Sequence, residues 1–317
     1  FAEVKGQFVA KRALEIAVAG GHNVLLIGPP GAGKTMMAKC VPTIMPDMTF
    51  EEAIEVTKIH SVAGILDDSV GIVVNRPFRT PHHTATVPAL MGGGANARPG
   101  EISMAHNGVL FLDEMPEYQR RTLETLRQPL EDGVAVVSRA KRTLEYPSRF
   151  MLVASMNPCP CGNLGSKVQQ CKCTPSEIHR YISKLSGPLL DRIDLQIEVD
   201  SISYDEFRSS ELNESSESIK ARVEKARTVQ RNRYVGTSTK TNDEMTNAQV
   251  RKYCELDKAG EELLKNAFIK LNLTARATNR VLKVSRTIAD LDGSQDIQPK
   301  HVAEAIQYRS LDRKYWD

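Results

Sequence analysis

The stretch "GPPGAGKT", residues 28–35, has the composition and spacing of a phosphate-binding loop. Glycines at 28, 31 and 33 allow backbone N–H groups to turn toward phosphate oxygens, and the helix that begins near Gly33 adds the positive end of its dipole. Lys34 is placed to reach the β- and γ-phosphates, and the Thr35 hydroxyl to coordinate Mg²⁺. A glycine-rich turn with an incidental lysine is the alternative, which the flanking strand and helix patterns disfavour. The predicted contacts to ATP are Gly28, Pro29, Pro30, Gly31, Ala32, Gly33, Lys34, Thr35 and Met36.

Two adjacent carboxylates, Asp113 and Glu114, follow the apolar run in "GVLFLDEM". The carboxyl end of a strand in a parallel sheet is the side where ligands bind. We therefore expect Asp113 to hold Mg²⁺ through its water shell and Glu114 to polarise the attacking water as general base. Alone, such a pair is also typical of a turn or a helix cap. Beside a phosphate loop, it predicts hydrolysis of ATP rather than phosphoryl transfer to a small acceptor.

Four cysteines lie close together in "NPCPCGNLGSKVQQCKC", in a chain that has only 6. Cys159, Cys161, Cys171 and Cys173 form two C-x-C pairs, and four thiolates suit a closed tetrahedral zinc site. One residue between the members of a pair is less usual than two, so spacing alone leaves alternatives open. His179 could replace one ligand, and the cysteines could instead be redox-active or simply buried. Structural zinc is the interpretation that we favour.

These side chains need a scaffold, and the first 200 residues have the pattern of a regular one. Short apolar runs at 24–27, 109–112, 150–154 and 195–199 alternate with helical patterns. Fully apolar strands between helices indicate a parallel sheet that is covered on both faces. The predicted fold class is therefore α/β, a parallel-sheet sandwich around the phosphate loop.

The character of the sequence changes after Asp200, where "SSELNESSESIK" is polar and rich in serine. Such a stretch is typical of a linker or an exposed helix start. From there to the end the patterns are helical, and Pro299 suits the first turn of a final helix. We predict a phosphate-loop core with insertion hairpins over 1–200, a linker and helix over 201–240, and a small all-α lid domain over 241–317.

The composition limits the class of protein. The chain has 317 residues, and 42 Lys and Arg against 39 Asp and Glu leave a net charge of +3, so any site for a polyanion must be local. The longest apolar runs fall far short of the ~20 residues of a membrane-spanning helix, and no secretory signal is visible. We therefore expect a soluble, cytoplasmic protein without a membrane partner. Because the sequence begins with Phe1 rather than Met, a fragment of a longer chain is one interpretation that stays open.

The motifs together resemble those of AAA+ ATPases, because "NP" follows the strand "FMLVASM" and "SGPLLDRIDLQIEV" lies beyond it. The order of "RPFRTPHHT", "MGGG", "RPGEISMAHNGVLFLDE", "LEDGVAVVSRA" and "NPCPCG" is similar to that of magnesium-chelatase-like AAA+ proteins of the ComM or YifB type. The resemblance covers essentially the whole chain. Members of this family usually carry an additional N-terminal domain similar to the Lon protease fold. The resemblance does not extend to that domain here, which is expected either of a fragment or of a partly ordered chain.

The resemblance implies roles for residues that would otherwise be assigned to the surface. Asn157 matches the asparagine that helps to position the hydrolytic water, and Arg192 in "LLDRIDL" matches the arginine that reaches into the neighbouring subunit's site. In the lid, Arg276 in "TARATNR" matches the arginine called the second sensor. Arg280, in the same stretch, is the alternative for this role. A guanidinium delivered to the γ-phosphate stabilises the charge of the transition state, so activity requires assembly. The resemblance thus implies a homo-oligomeric ring, and among rings a hexamer.

The stretch "LEDGVAVVSRAKRTLEYPSRFML" has the alternation and the basic turn of a β-hairpin that leads into a strand. In the wider AAA+ clade that includes magnesium chelatases and replicative helicases, a hairpin before the fourth strand points into the ring pore. Arg139, Lys141 and Arg142 at its tip would then contact DNA phosphates without sequence preference. A solvated basic turn is the alternative.

An ATP-driven ring motor acting on DNA is the leading functional hypothesis, of the helicase or branch-migration type linked to natural transformation and recombination. The second is a magnesium-chelatase-type subunit that remodels a partner protein for metal insertion into a porphyrin. The third is a zinc-binding module without enzymatic activity, in which bound nucleotide only stabilises the fold. On the first two hypotheses Lys34 and Glu114 act directly in ATP hydrolysis. The cysteines then have a structural role, in which they restrain the loop between Asn157 and Arg192.

Overall fold

The structure is a computed structural model that describes residues 1–66, 71–94, 96–139, 142–165, 169–201, 208, 213–311 and 315, with the backbone alone at 138, 139 and 142. The strands are β1 (Val24–Ile27), β2 (Phe78–Arg79), β3 (Gly92–Gly93), β4 (Arg98–Pro99), β5 (Val109–Leu112), β6 (Val134–Arg139), β7 (Arg142–Pro147), β8 (Met151–Met156) and β9 (Leu195–Glu198). The helices are α1 (Phe8–Gly20), α2 (Lys34–Ile44), α3 (Phe50–Ala63), α4 (Val87–Met91), α5 (Glu101–Met104), α6 (Arg120–Glu124), α7 (Arg127–Asp132), α8 (Pro175–Ile182), α9 (Gly187–Leu190), α10 (Ser216–Arg233), α11 (Asn247–Tyr253), α12 (Lys258–Lys270), α13 (Ala275–Leu291) and α14 (Pro299–Gln307).

Five strands form one sheet, in the order β2-β5-β8-β1-β9. Val24 at the start of β1 lies beside Val153 of β8 on one side and beside Leu195 of β9 on the other. Every pairing between neighbouring strands of this sheet is parallel. The α/β class predicted from the sequence is therefore confirmed.

The predicted strands agree best with the structure where the apolar run is uninterrupted. β1 and β5 have the predicted bounds, and β9 ends one residue earlier than predicted. β8 begins one residue after the predicted start at 150 and continues to Met156, because the polar Ser155 stays in register beside Leu26. β2 was not predicted, because two residues are too few to show a period.

Helices cover both faces of the sheet, which is why its central strands are apolar except for Ser155. Successive side chains of β1 point to opposite faces. Val24 and Leu26 share a core with α1 and α2, whereas Leu25 and Ile27 share a core with residues of α6, α8 and α9. Every residue of β1, β5 and β8 is buried. This covered sheet fixes the positions of the loops at its carboxyl edge.

Helix α10 packs on the sheet domain although it follows the serine-rich stretch. Its buried residues Ile219, Val223, Ala226 and Gln230 recur every three or four positions, and α10 packs on α1 and α2. The Gln230 side chain also donates to the Ala19 carbonyl oxygen at 2.9 Å. The helix therefore belongs to the apolar core around the sheet.

Helices α11 to α14 form a bundle at the carboxyl-terminal end. Ala289 of α13 and Val302 of α14 lie in a small core separate from that of the sheet, and α14 begins at Pro299 as predicted. Within the described part of the chain, no helix is long and apolar enough to cross a membrane. Residues 202–207 and 209–212 lie outside the described residues, and the predicted domain boundaries stay predictions.

Strands β6 and β7 form the antiparallel hairpin that the sequence predicts, immediately before β8. Arg139 lies opposite Arg142 at the end of the ladder. The predicted DNA contacts, which are Lys141 and the side chains of Arg139 and Arg142, lie outside the described residues.

Candidate nucleotide-binding site

The candidate phosphate loop, residues 28–35, joins β1 to α2 at the carboxyl edge of the sheet. Gly31 and Gly33 have φ angles of 79° and 86°, a left-handed backbone that glycine adopts without steric cost. Helix α2 begins at Lys34, and the first N–H groups of a helix have no partners within it, so this end suits an anion. Among the other predicted contact residues, Gly28 and Ala32 are buried, Pro29 is half-buried, and Pro30 and Met36 are exposed.

The Lys34 ammonium lies within this loop. Its Nζ donates to the carbonyl oxygens of Gly28 at 2.6 Å and Pro29 at 2.8 Å, and to Oδ1 of Asn157 at 3.2 Å. Burial lowers the pKa of Lys34 to about 8, although the two nearby carboxylates act in the opposite direction. A poorly hydrated cation gains most from an anionic ligand, which agrees with the predicted contact to phosphates.

A chain of hydrogen bonds links Thr35 to the acidic pair. The Thr35 hydroxyl donates to Oδ2 of Asp113 at 2.9 Å. The Ser155 hydroxyl donates to the other carboxylate oxygen of Asp113 and accepts from the Glu114 N–H at 3.2 Å. Thr35 and Asp113 therefore present a hydroxyl and a carboxylate side by side, which are oxygen ligands of the kind that Mg²⁺ prefers. Thr35 and Asp113 therefore fit a bound Mg²⁺ ion.

Glu114 has a left-handed backbone, with φ at 51°. This conformation costs a residue other than glycine about 1–3 kcal/mol and is found more often at functional sites than elsewhere. Its side chain is exposed, as a general base that meets water must be. Two contacts, Lys34 to Asn157 and Thr35 to Asp113, bring Asn157 and the acidic pair to the phosphate loop.

Gly28 is packed too tightly to accept a side chain. A Cβ there would lie 2.2 Å from the Val199 carbonyl oxygen, which is backbone and cannot rotate away. At Gly31 a Cβ would meet nothing within 4 Å. Alanine there is therefore expected to lower the free energy of unfolding only by the strain of a left-handed backbone, about 1–2 kcal/mol. We expect Gly28→Ala to lower the midpoint of thermal unfolding, measured by circular dichroism, roughly 5 °C more than Gly31→Ala. Equal midpoints, or a lower one for Gly31→Ala, would contradict this packing.

Arg192 lies at the opposite end of the sheet from the phosphate loop. Its carbonyl oxygen accepts from Nδ2 of Asn23 at 3.0 Å, and Asn23 immediately precedes β1. The four residues of β1 separate this end from the loop by about 13 Å. The Arg192 guanidinium contacts the Glu131 carboxylate and donates to the Pro188 carbonyl oxygen at 2.7 Å. Arg192 is therefore not brought to the phosphate loop of its own chain.

Of the two candidate lid arginines, Arg280 lies at the same end of the sheet as Arg192. Arg280 on α13 forms an ion pair with buried Asp194, which also accepts from the Asn23 N–H at 2.9 Å. Burial alone would raise the pKa of Asp194, but Arg280 and His22 hold it below its ordinary value. Arg276 is exposed, one turn earlier on α13. Within the described residues, neither arginine is hydrogen-bonded to the phosphate loop.

The four predicted cysteine ligands converge on one point. The sulfur atoms of Cys159, Cys161, Cys171 and Cys173 lie within 4.8 Å of one another, and all four cysteines are free. Distances of 3.5, 3.7 and 3.6 Å separate the first three sulfurs pairwise. Thiolates bound tetrahedrally at about 2.3 Å from zinc are about 3.8 Å apart, whereas disulfide sulfurs are about 2 Å apart. The cluster has the dimensions of a zinc site, and His179, exposed on α8, is not part of it.

Backbone groups favour the thiolate form of Cys161. The N–H groups of Lys172 and Asn163 donate to its sulfur and lower the pKa of the thiol to about 6. At Cys159, burial raises the pKa of the thiol to about 12. The thiolate is the form that binds metal, and a bound cation deprotonates coordinating thiols. The donated N–H groups therefore agree with a metal site.

Comparison with known protein families gives one consistent answer. Residues 1–207 match the family described as "Magnesium chelatase, subunit ChlI", and residues 213–309 match its C-terminal region. The chain belongs to the magnesium chelatase ChlI family. The resemblance to magnesium-chelatase-like AAA+ proteins is thereby confirmed, and the fold is the AAA+ α/β domain followed by a helical lid.

The sequence identity between this ChlI-family chain and its relatives differs widely from one relative to another. It is 46% identical over 313 residues to "Uncharacterized protein YifB" of Escherichia coli and 45% identical over 314 residues to "Competence protein ComM" of Haemophilus influenzae. Both matches cover 98% of this chain, which spans 60% of the length of either relative. The "Magnesium-chelatase 38 kDa subunit" of Rhodobacter capsulatus is 25% identical over 177 residues, 50% of each chain.

One residue at this ChlI-family site was not predicted from the sequence. Ser155 joins the Asp113 carboxylate to the Glu114 N–H. It lies near the end of β8, two positions before Asn157, and residues at that spacing point to the same side of a strand. A serine in an otherwise apolar strand, just before a candidate catalytic residue, was the available signal.

Proposed function

We propose that the chain is the ATP-hydrolysing part of an AAA+ ring motor that acts on DNA. The observation that carries the ATPase proposal is the pair of contacts from Lys34 to Asn157 and from Thr35 to Asp113, at 3.2 and 2.9 Å. They gather a cation, an amide, a hydroxyl and a carboxylate at the carboxyl edge of the sheet. These groups are the recurring parts of a phosphoryl-transfer site.

In the proposed reaction, water attacks the γ-phosphorus of ATP as the bond to the β–γ bridging oxygen breaks, which yields ADP and inorganic phosphate. Glu114 accepts a proton from the water and returns it to solvent. Lys34 holds the β- and γ-phosphates, and Asn157 positions the water. Thr35, and Asp113 through water, would hold Mg²⁺, which would supply positive charge near the phosphate oxygens.

We propose further that Arg192 acts on the nucleotide of a neighbouring subunit. Its position supports this role, because the length of β1 separates it from its own phosphate loop. In a ring, each subunit can present this end to the phosphate loop of the next subunit. The proposed assembly is a homohexamer, with Arg276, or Arg280 as its alternative, as the lid sensor at the same end.

The proposal of DNA as the substrate is supported by sequence similarity and by the hairpin. A protein named for competence, ComM of Haemophilus influenzae, is 45% identical over 98% of this chain. The hairpin of β6 and β7 lies immediately before β8, and the sequence places Arg139, Lys141 and Arg142 around its turn. Contacts from these cations to phosphates would be independent of DNA sequence.

A magnesium-chelatase-type role is the second candidate, because the chain belongs to that family. In this role, ATP hydrolysis would remodel a partner protein for metal insertion into a porphyrin. The lower identity of 25% to the magnesium-chelatase subunit is the reason for placing it second.

Stimulation of ATP hydrolysis by DNA distinguishes the two candidates. We expect branched or single-stranded DNA to raise the ATPase rate, and the double variant Lys141→Glu, Arg142→Glu to weaken DNA binding and stimulation by about tenfold or more. The double variant Lys265→Glu, Lys270→Glu makes the same charge change at exposed positions of α12 and should keep both properties.

Three other outcomes would overturn the proposal in different ways. If no DNA stimulates hydrolysis and charge reversal at the hairpin has no effect, the motor on DNA is rejected in favour of a partner protein. If both double variants lose stimulation equally, the hairpin is not the DNA site. If the assembled wild type hydrolyses ATP no faster than Lys34→Ala, the non-enzymatic zinc module replaces both candidates.

We also propose that the four clustered cysteines hold a structural zinc ion. Four thiolates fill a tetrahedral zinc and leave no open position for substrate, so the ion would brace the segment between Asn157 and Arg192 rather than react. We expect about one zinc per chain in protein that was kept reduced. Reduced protein without zinc would contradict this assignment.

A further inference from the structure

The turn that carries the first two cysteine ligands lies against the phosphate loop. We call residues 159–162 the cysteine turn; the Gly162 N–H donates to the Cys159 carbonyl oxygen at 2.9 Å and closes it. Gly162 has a φ of 78°, and a Cβ there would lie 2.5 Å from Cδ and 2.9 Å from Cγ of Pro30. Pro30 therefore packs directly on the backbone of the cysteine turn.

A second contact connects the same segment with Lys34. Asn157, two residues before the buried Cys159, accepts from the Lys34 Nζ at 3.2 Å. The same Nζ donates to the carbonyl oxygen of Pro29, the neighbour of Pro30. The cysteine turn thus reaches the phosphate loop twice, directly at Pro30 and through Asn157 at Lys34. The contact with Pro30 depends directly on the position of the cysteine turn, because Gly162 is part of that turn.

We propose that metal binding at the four cysteines sets the nucleotide affinity of the phosphate loop, because the metal holds the cysteine turn against Pro30. This inference rests on the proposed ATP site and on the proposed zinc ion. A metal that joins Cys159 and Cys161 to Cys171 and Cys173 closes the loop between them and restricts its backbone. The phosphate loop is then ordered before nucleotide arrives. Without the metal, that ordering must occur on binding and weakens it.

Two glycines of the same loop provide a matched test of the contact. Gly162 and Gly165 both have a φ of 78°, so alanine brings the same backbone cost at either position. At Gly165 a Cβ would meet nothing within 4 Å, whereas at Gly162 it would displace Pro30. Neither substitution removes a cysteine. Gly162→Ala therefore disturbs the contact, and Gly165→Ala serves as the control.

The experiment measures zinc content by mass spectrometry and the affinity for a fluorescent ATP analogue by titration with Mg²⁺ present. Zinc-loaded, chelator-treated and zinc-reloaded wild type are compared with zinc-loaded Gly162→Ala, Gly165→Ala and Lys34→Ala. We expect affinity to fall by about tenfold on zinc removal and to return on reloading. Gly162→Ala should keep its zinc but show a similar loss of affinity, and Gly165→Ala should match wild type.

The zinc and affinity measurements distinguish failure of the coupling from failure of the zinc site and of the nucleotide site. If zinc removal and Gly162→Ala leave the affinity unchanged in a protein that does hold zinc, the coupling is wrong and the zinc site stands. If Gly165→Ala loses as much affinity as Gly162→Ala, the contact with Pro30 is not the cause, and the inference is overturned. If the wild-type protein contains no zinc, both the zinc assignment and the proposed coupling are wrong. Equal affinity of wild type and Lys34→Ala would instead reject the proposed nucleotide site.

Discussion

Glu114→Gln is expected to slow ATP hydrolysis by about 10³-fold while the affinity for ATP stays close to that of wild type. Glutamine keeps the size of the side chain but cannot accept the proton of the attacking water. The exposed side chain of Glu114 makes no hydrogen bond to Lys34 or Thr35 in the described structure, so the phosphate-binding groups should be undisturbed. Steady-state phosphate release and equilibrium nucleotide binding, measured on the assembled protein, give the two quantities.

The neighbouring Glu117 provides the control for this prediction. It is exposed three residues further along the chain and forms a surface ion pair with Lys184 at 3.6 Å. Such pairs contribute little to stability, so Glu117→Gln should hydrolyse ATP at close to the wild-type rate. If Glu114→Gln retains more than about a tenth of the wild-type rate, Glu114 is not the general base.

Mixing two inactive variants should restore ATP hydrolysis if Arg192 acts across a subunit interface. Lys34→Ala lacks a working phosphate loop, and Arg192→Ala lacks the guanidinium that we propose for the neighbouring site, so each alone should be inactive. In randomly mixed rings about a quarter of the interfaces combine an intact phosphate loop with an intact Arg192 of the adjacent subunit. We therefore expect the mixture to regain up to about a quarter of the wild-type rate.

A second mixture shows whether the recovery has this cause. Lys34 and Glu114 are proposed to act in the same chain's site, so each subunit of a mixture of Lys34→Ala and Glu114→Gln carries a defective site, and no activity should return. Arg192 is buried and contacts Glu131, so Arg192→Lys and thermal midpoints are needed to separate a lost guanidinium from lost folding. Activity in Arg192→Ala alone, or the absence of recovery in the first mixture despite mixed rings, would refute the role in trans.

Short patterns in the sequence were sufficient to predict the elements at the carboxyl edge of the sheet. The phosphate loop, the strand before Asp113 and the hairpin before β8 are each predicted by one short contiguous stretch, because φ angles, apolar runs and alternation are local properties. The four cysteines were also predicted as a cluster, and their sulfurs do converge. β2 escaped prediction because its two residues depend on pairing with β5 rather than on a pattern of their own.

What the sequence by itself determined is the identity of the groups that we propose to bind phosphate, metal and water, since each is part of a contiguous motif. Only the tertiary structure showed which residues from distant parts of the chain contact these groups. Ser155 bridges the acidic pair, Arg192 lies a strand length from its own phosphate loop, and Gly162 packs on Pro30. The physical reason is that these contacts join residues far apart in the chain, and the order and register of the strands, which no local pattern contains, set their distances.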